Sequence, residues 1–140
     1  MVRASLVNAV AEEVAFRGYL QGALEPRVGG AAAIAITALV MAPAHGATQG
    51  FVWPTFVFYL AVDAMLGATA YLTDSVLPGI ATHAFGILVF FTLVWPNDSA
   101  RQPLTAGSAA DVWLWLHAAQ AVLFAGLSLW AFARLAQRAA

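Results

Sequence analysis

The chain has 140 residues, of which 62% are hydrophobic and 9% are charged, and its mean hydropathy is +0.80. An ordinary soluble domain carries about a quarter charged residues, so this composition excludes that class and indicates an integral membrane protein. The net charge of −1 and the lack of lysine exclude the basic surface that a nucleic-acid partner needs, and the lack of cysteine excludes a disulfide frame and a thiolate nucleophile.

Five apolar stretches approach the length of about 20 residues that a membrane-spanning helix needs. The sequence therefore predicts an all-α fold, a polytopic transmembrane bundle of about five helices that forms a single membrane domain over residues 1–140. In chain order, the predicted helices are about Ser5–Leu24, Ala31–His45, Pro54–Leu72, the stretch from Thr73-Asp74-Ser75 to Trp95, and Val112–Ala133.

Local signals set the predicted boundaries. Glu25-Pro26-Arg27 predicts the end of the first helix, because proline disfavours helical geometry in the residue before it. Thr73-Asp74-Ser75 predicts a tight turn whose side chains cap the fourth helix. Residues 96–110 are predicted to be an external loop, and residues 111–135 an additional C-terminal helix.

Charge within the first predicted helix is confined to one short run, Glu12-Glu13-Val14-Ala15-Phe16-Arg17. An ionised group costs about 3 kcal/mol at the bilayer centre, so such groups usually have a partner or a function. Glu13 and Arg17 are four residues apart and are predicted to pair on one helical face. Glu12 lies about 100° away around the helix, which makes it the candidate catalytic carboxylate. The alternative is a protonated carboxyl group that hydrogen-bonds a neighbouring helix.

Two histidines lie on other predicted helices, His45 at the end of the second and His83 within the fourth. A carboxylate and two imidazoles on three helices can converge in the core of a bundle. A single intramembrane histidine is more often a packing residue, but three unpaired ionisable groups in one small membrane chain favour a site. Glu12, His45 and His83 form the predicted site. The same set is a plausible zinc site, whereas a carboxylate that acts alone as base needs no metal.

Three segments resemble the motifs of the CAAX-processing and bacteriocin-processing (abortive-infection) family of intramembrane proteases. Glu12 to Gln21 is similar to the first motif, EExxxR. Leu39 to His45 is similar to the second, FxxxH, with Met41 in place of phenylalanine, and His83 falls at the histidine of the third, HxxxN. The resemblance covers about residues 5–90 and predicts a protease-like core there.

The resemblance implies an intramembrane endopeptidase that hydrolyses a peptide bond with a glutamate-activated water. It makes Glu12 the general base, Glu13 and Arg17 a structural ion pair, and His45 and His83 the groups that hold the water or stabilise the tetrahedral intermediate. It leaves open whether the enzyme is a glutamic or a metallo-endopeptidase. The expected partners are membrane lipid and a peptide or protein substrate, and the expected location is the bacterial inner membrane.

Two departures from the family pattern keep alternatives open. Ile87 stands where the family has the asparagine of HxxxN, and loss of one oxyanion donor typically costs about 10²- to 10³-fold in rate. The chain is therefore alternatively a catalytically weak membrane scaffold or immunity-type protein that retains the fold. A third interpretation is a haem or metal carrier that uses His45 and His83. Only eleven residues precede Glu12, where the family usually has further helices, which suggests a minimal member, a truncated one, or a chain that forms a homo-oligomer or packs against partner helices.

Two further ionisable residues have no counterpart in these motifs. Asp63, within the third helix, is predicted to be a neutral, packed hydrogen-bonding group, and His117, in the last helix, an interfacial side chain. Gly67, Gly79 and Gly86 predict close approach between helices.

Overall fold

The computed structural model describes residues 2–49, 52–94 and 112–139 of this chain. These residues form five helical stretches and no strand, which confirms the predicted all-α helical bundle. The elements in chain order are α1 (Val2–Glu12), a π-helical segment (Glu13–Gln21, here the π-segment), α2 (Gly22–Val28), α3 (Gly30–Gln49), α4 (Trp53–Thr73), α5 (Leu77–Val89), a second π-helical stretch (Phe90–Val94) and α6 (Val112–Ala139).

The first helical run is longer than predicted. α1, the π-segment and α2 follow one another without a break to Val28, so the end predicted at Glu25-Pro26-Arg27 is wrong. Only two helical residues follow Pro26, and the missing proline N–H therefore affects a single turn. The run ends at Gly29, whose φ of 82° suits glycine and whose N–H bonds the Glu25 carbonyl at 2.9 Å.

The predicted turn before α5 is present. Asp74 adopts a left-handed conformation with φ of 49°, which aspartate tolerates better than most residues. The Ser75 hydroxyl then accepts a hydrogen bond from the Leu77 N–H at 3.3 Å, so it caps the start of α5.

The described residues form two compact units, one up to Val89 and one from Phe90 onwards. The first unit contains α1 to α5. The second contains the Phe90–Val94 stretch and α6. The predicted external loop, residues 96–110, lies outside the described residues.

Side-chain contacts fix how the helices of the first unit run. The π-segment and α4 are parallel, because Arg17 bonds Asp63 and Gln21 bonds Gly67, each across the same interval of 46 residues. α3 and α4 are antiparallel: His45 near the end of α3 stacks on Tyr59 near the start of α4, and Gly30 at the start of α3 lies against Tyr71 near the end of α4.

α1 and α5 are also antiparallel. A Cβ on Gly18 would lie 3.6 Å from Val76, before α5 begins. Further back along the first helix, Glu13 contacts His83, and Ser5 lines the same apolar cavity as Leu88. The first helical run therefore packs between α4 and α5, and both neighbours can place side chains on it.

The first unit differs from a soluble protein in the side chains that it buries. The buried apolar residues are mostly small, as is usual where membrane helices pack closely, whereas large apolar side chains face outward. The buried apolar residues are Ala9, Ala33, Ala38, Met41, Ala42, Leu66 and Ala70, and the buried polar ones are Ser5, Glu13, Arg17, Gln21, Thr37 and Asp63. Exposed large side chains include Leu39, Val40, Val57, Phe58 and Phe85.

By length and apolar composition, one helix of the described residues is able to cross a membrane, Trp53–Thr73. Three shorter apolar helices accompany it, Gly30–His45, Leu77–Thr92 and Val122–Gln137. Five stretches of this kind were predicted. The first run differs because its buried face carries charged and amide side chains.

Candidate active site

A buried stripe, polar at every position except Ala9, runs along one face of the first helical run at an interval of four residues. Its members are Ser5, Ala9, Glu13, Arg17 and Gln21, each buried, with half-buried Glu25 one step further. In an α-helix, residues four apart advance by about 40° around the axis, so this stripe would wind through about 160° between Ser5 and Gln21. A straight stripe therefore needs more residues per turn.

The π-segment supplies that wider turn. Its hydrogen bonds reach one residue further than those of an α-helix, and such segments occur frequently at functional sites. The three polar members within it, Glu13, Arg17 and Gln21, are consequently held on one face. Gln21 uses this position to donate hydrogen bonds to the Gly67 carbonyl at 3.0 Å and to Glu25 at 2.9 Å.

Glu13 has two partners on one carboxylate oxygen. Its Oε1 atom lies 3.2 Å from Arg17 Nη1 and 2.9 Å from His83 Nδ1, and the side chains of Glu13 and Arg17 are fully buried. Because an ionised carboxylate only accepts hydrogen bonds, His83 Nδ1 is the donor in this contact. The structure therefore brings Glu13 and Arg17 together and links the pair to one predicted histidine.

Arg17 has a second partner that the sequence interpretation missed. Its Nη2 atom lies 2.5 Å from Asp63 Oδ1 and also donates to the Asp63 backbone carbonyl at 3.2 Å. Asp63 is buried, and it is a packed hydrogen-bonding group as predicted, with Arg17 as its partner. The sequence held a signal for this contact. Arg17 has one carboxylate nearby on its own helix, and Asp63 is a second intramembrane carboxyl group without an assigned partner.

His83 lies between the two adjacent glutamates. While Nδ1 contacts Glu13, Nε2 faces Glu12 Oε2 at 3.7 Å. The Glu12 side chain is 29% exposed, yet its Oε2 atom is buried and forms no hydrogen bond with any residue that the structure describes. Glu12 therefore reaches the same cluster as Glu13 but from the accessible side, with one carboxylate oxygen directed at an imidazole nitrogen.

The other predicted histidine lies beside α4. The ring of His45 stacks on that of Tyr59, with centroids 4.0 Å apart and planes 13° from parallel. Tyr59 is one turn before Asp63, and His45 and His83 both interact electrostatically with the Asp63 carboxyl group. The structure thus brings Glu12 and His83 into contact distance and places His45 on the Asp63 side of the cluster.

The fit of the predicted zinc set can be judged from these positions. In the part of the chain that the structure describes, no group of three or more His, Cys, Asp or Glu side chains is arranged to hold a metal ion. Glu12, His45 and His83 in these positions do not fit a tetrahedral site, which takes three protein ligands and an open fourth position.

Gly79 of α5 makes room for the buried glutamate. A Cβ at this position would lie 2.9 Å from Glu13 Oε2 and 3.5 Å from Glu13 Cδ. Glu13 is fixed by Arg17 and His83, so it cannot move aside without loss of these contacts. At Gly86, in the same helix, an added Cβ would meet no atom within 4 Å among the described residues outside the adjoining backbone of α5.

We expect Gly79→Ala to destabilise the protein in detergent by about 1–3 kcal/mol, the usual cost of overpacking, and to lower any activity that depends on Glu13. Gly86→Ala is the matched control, because it adds the same methyl group to open space and removes a glycine from a helix, which favours the fold by up to about 1 kcal/mol. Thermal unfolding of both variants measures the difference. Equal melting temperatures would contradict the close approach of α5 to Glu13.

Comparison with known protein families assigns the chain to one of them. The model of the Rce1-like type II CAAX prenyl endopeptidases matches residues 1–89, which is the unit that holds the polar cluster. The chain belongs to this family. Its members are CAAX-type proteases and integral membrane proteins. No curated protein and no solved structure matches the chain.

Membership of the Rce1-like family confirms the resemblance that the three motifs indicated. The matched residues include the EExxxR run, His45 and His83. Two positions that depart from the family motifs lie in the same unit: Met41 is buried in α3, and Ile87 is half-buried in α5, one turn beyond His83 on the same helical face.

Proposed function

We propose that this protein is an intramembrane endopeptidase that hydrolyses a peptide bond with a water activated by Glu12. The observation that carries the proposal is the pairing of Glu12 Oε2, buried and without a hydrogen bond, with His83 Nε2 at 3.7 Å. A general base must reach the proton that it abstracts directly or through one water. A water bound between these two atoms has two acceptors for its hydrogens.

The state of His83 supports this arrangement. With Nδ1 donating to Glu13, neutral His83 keeps an acceptor lone pair on Nε2. A water that donates to both Glu12 and Nε2 directs an oxygen lone pair away from them, toward a substrate carbonyl carbon. In this proposal Glu13 and Arg17 do not meet the substrate, and they hold the imidazole in the tautomer that the reaction needs.

The reaction then needs one water and releases two chain ends. Glu12 takes a proton from the water while the water oxygen bonds to the carbonyl carbon, which gives a tetrahedral intermediate. The C–N bond breaks when Glu12 returns the proton to the departing amine nitrogen. His45 is proposed to stabilise the intermediate, as the family pattern implies. Each proposed step uses Glu12, His45 or His83, and none is routed through a metal ion.

Ile87 provides the test that separates an enzyme from a scaffold. At this position the family has a side-chain amide, and an aliphatic residue leaves an oxyanion without that donor. We expect Ile87→Asn to raise turnover of a membrane-anchored peptide in proteoliposomes, by up to about 10²-fold. Leu88→Asn, one residue away and on another face of α5, is the matched control.

The outcomes are distinct. Greater cleavage by Ile87→Asn than by Leu88→Asn supports the protease with a weakened centre. If neither the parent protein nor Ile87→Asn cleaves any member of a broad peptide library, the chain is a scaffold that retains the fold. Full activity of the parent that the substitution leaves unchanged would show that another group stabilises the oxyanion. The proposed location is the bacterial inner membrane, with lipid and a peptide or protein substrate as partners.

A further inference from the structure

We propose that Asp63 is a positioning residue of this site, which acts through Arg17 to fix Glu13 and hence His83. The expected effect of Asp63 on turnover rests on the proposed function. The expected effect of Asp63 on the His83 imidazole does not rest on it. The proposal starts from a contact between α4 and the π-segment that no motif of the family includes.

The contact is buried and charge-assisted. Asp63 Oδ1 lies 2.5 Å from Arg17 Nη2, and the backbone carbonyl of Asp63 accepts from the same nitrogen at 3.2 Å. Asp63 is 4% exposed and Arg17 is 3% exposed, so solvent does not screen the pair. Two acceptors on one residue of α4 thus fix one arm of the guanidinium.

The shape of arginine transmits this constraint. The guanidinium is a rigid planar fork, so a fixed Nη2 also sets the direction of Nη1. Nη1 lies 3.2 Å from Glu13 Oε1, an ion-pair contact without hydrogen-bond geometry between the described atoms. Glu13 is therefore placed by a helix 46 residues further along the chain, and its Oε1 atom lies where His83 Nδ1 reaches it at 2.9 Å.

The sharing of Arg17 leads to the same conclusion. The guanidinium lies between two carboxyl groups, those of Glu13 and Asp63. With Asp63 neutralised, the guanidinium would be paired with Glu13 alone. Glu13 would then be the weaker acceptor for the His83 N–H, and Arg17 would be free to bond it with both arms at the expense of His83. Asp63 therefore keeps Glu13 Oε1 available to the imidazole.

Asp63→Asn tests this inference, because asparagine keeps the shape and one acceptor oxygen but removes the charge. Asp74→Asn is the matched control: Asp74 is exposed, outside the cluster, and in a left-handed conformation that asparagine accepts. Two quantities are measured, kcat and KM separately on the cleavable peptide, and the ring ¹⁵N chemical shifts of His83 at one fixed pH, assigned with His83→Gln.

For Asp63→Asn we expect kcat to fall by about 10- to 100-fold, the usual effect of losing an outer-shell partner, with KM unchanged. The His83 ring shifts should move toward the other tautomer. Asp74→Asn should change neither quantity, and Asp63→Glu should recover most of both. A residue that only supports the fold would lower stability without altering the tautomer of His83. If Asp63→Asn matches Asp74→Asn in both quantities, the inference is wrong.

The test does not depend on one variant. If Asp63→Asn fails to fold, the guanidinium signals of Arg17 in the parent protein decide the matter: four separate N–H resonances support a fork fixed at both arms, whereas signals averaged by rotation, like those of exposed Arg3, overturn it. The ring shifts of His83 need no turnover. If the parent protein cleaves no peptide, the proposed function fails while the shifts still test the role of Asp63.

Discussion

Glu12→Gln is expected to abolish peptide cleavage with little effect on folding. Glutamine has nearly the same shape as glutamate but cannot take a proton from water, and loss of a general base typically costs about 10²- to 10⁴-fold in rate. The fold should tolerate the change, because the Glu12 side chain is partly exposed and its Oε2 atom forms no hydrogen bond that folding needs. Cleavage of a membrane-anchored peptide and thermal unfolding in detergent measure the two effects.

Glu25→Gln is the matched control, since Glu25 lies on the same helical run and contacts Gln21 but not His83. It should leave the rate unchanged. Residual activity of Glu12→Gln equal to that of Glu25→Gln would assign the base to another group. His83 Nε2 would then be the first alternative, because it faces the same space.

Arg17→Ala is expected to produce the largest loss of stability. Removing one partner of a buried ion pair typically costs about 3–5 kcal/mol, because a buried charge is left uncompensated. Here the alanine substitution would leave two buried carboxyl groups without their partner, Glu13 on the same helix and Asp63 on α4. We expect a low yield of folded protein and a clearly lower melting temperature in detergent.

Arg27→Ala provides the comparison, because Arg27 is exposed and, within the described part of the chain, bonds its own helix at the Ala23 carbonyl. Its melting temperature should stay close to that of the parent. If Arg17→Ala and Arg27→Ala unfold together, Glu13 and Asp63 are neutral in the folded protein. If Glu12→Gln loses as much stability as Arg17→Ala, the division between a catalytic and a structural carboxylate is wrong.

Local spacing accounts for part of this site. Residues four apart on one helix are neighbours, so Glu13 and Arg17 could be paired from the sequence, and the positions of the helices followed from apolar length and turn residues. The histidine of α5 could be grouped with the glutamates only as an unpaired ionisable residue in an apolar helix and through the family resemblance, because no helical spacing relates residues 70 apart.

Asp63 illustrates what such reasoning could not reach. Its partner lies 46 residues away on another helix, and neither periodicity nor motif relates the two positions. Gln21 and Gly67 are separated by the same 46 residues, and this shared interval reflects the parallel packing of the π-segment on α4. The sequence predicts that Gly79 permits close approach between helices. Only the packing of α5 shows that the group brought close to it is Glu13.

The π-segment has a consequence for how this sequence can vary. It places more residues in each turn than the α-helices on either side, and it holds Glu13, Arg17 and Gln21 buried on one face. Deletion of one residue between Glu13 and Arg17 would rotate everything beyond it relative to α1, by somewhat less than the roughly 100° that one α-helical residue contributes, and Arg17 and Gln21 would leave the face of α4. Substitutions on the outer face, at positions such as Val14 or Tyr19, carry no such penalty. The number of residues in this segment is therefore under tighter constraint than the identity of most of its residues.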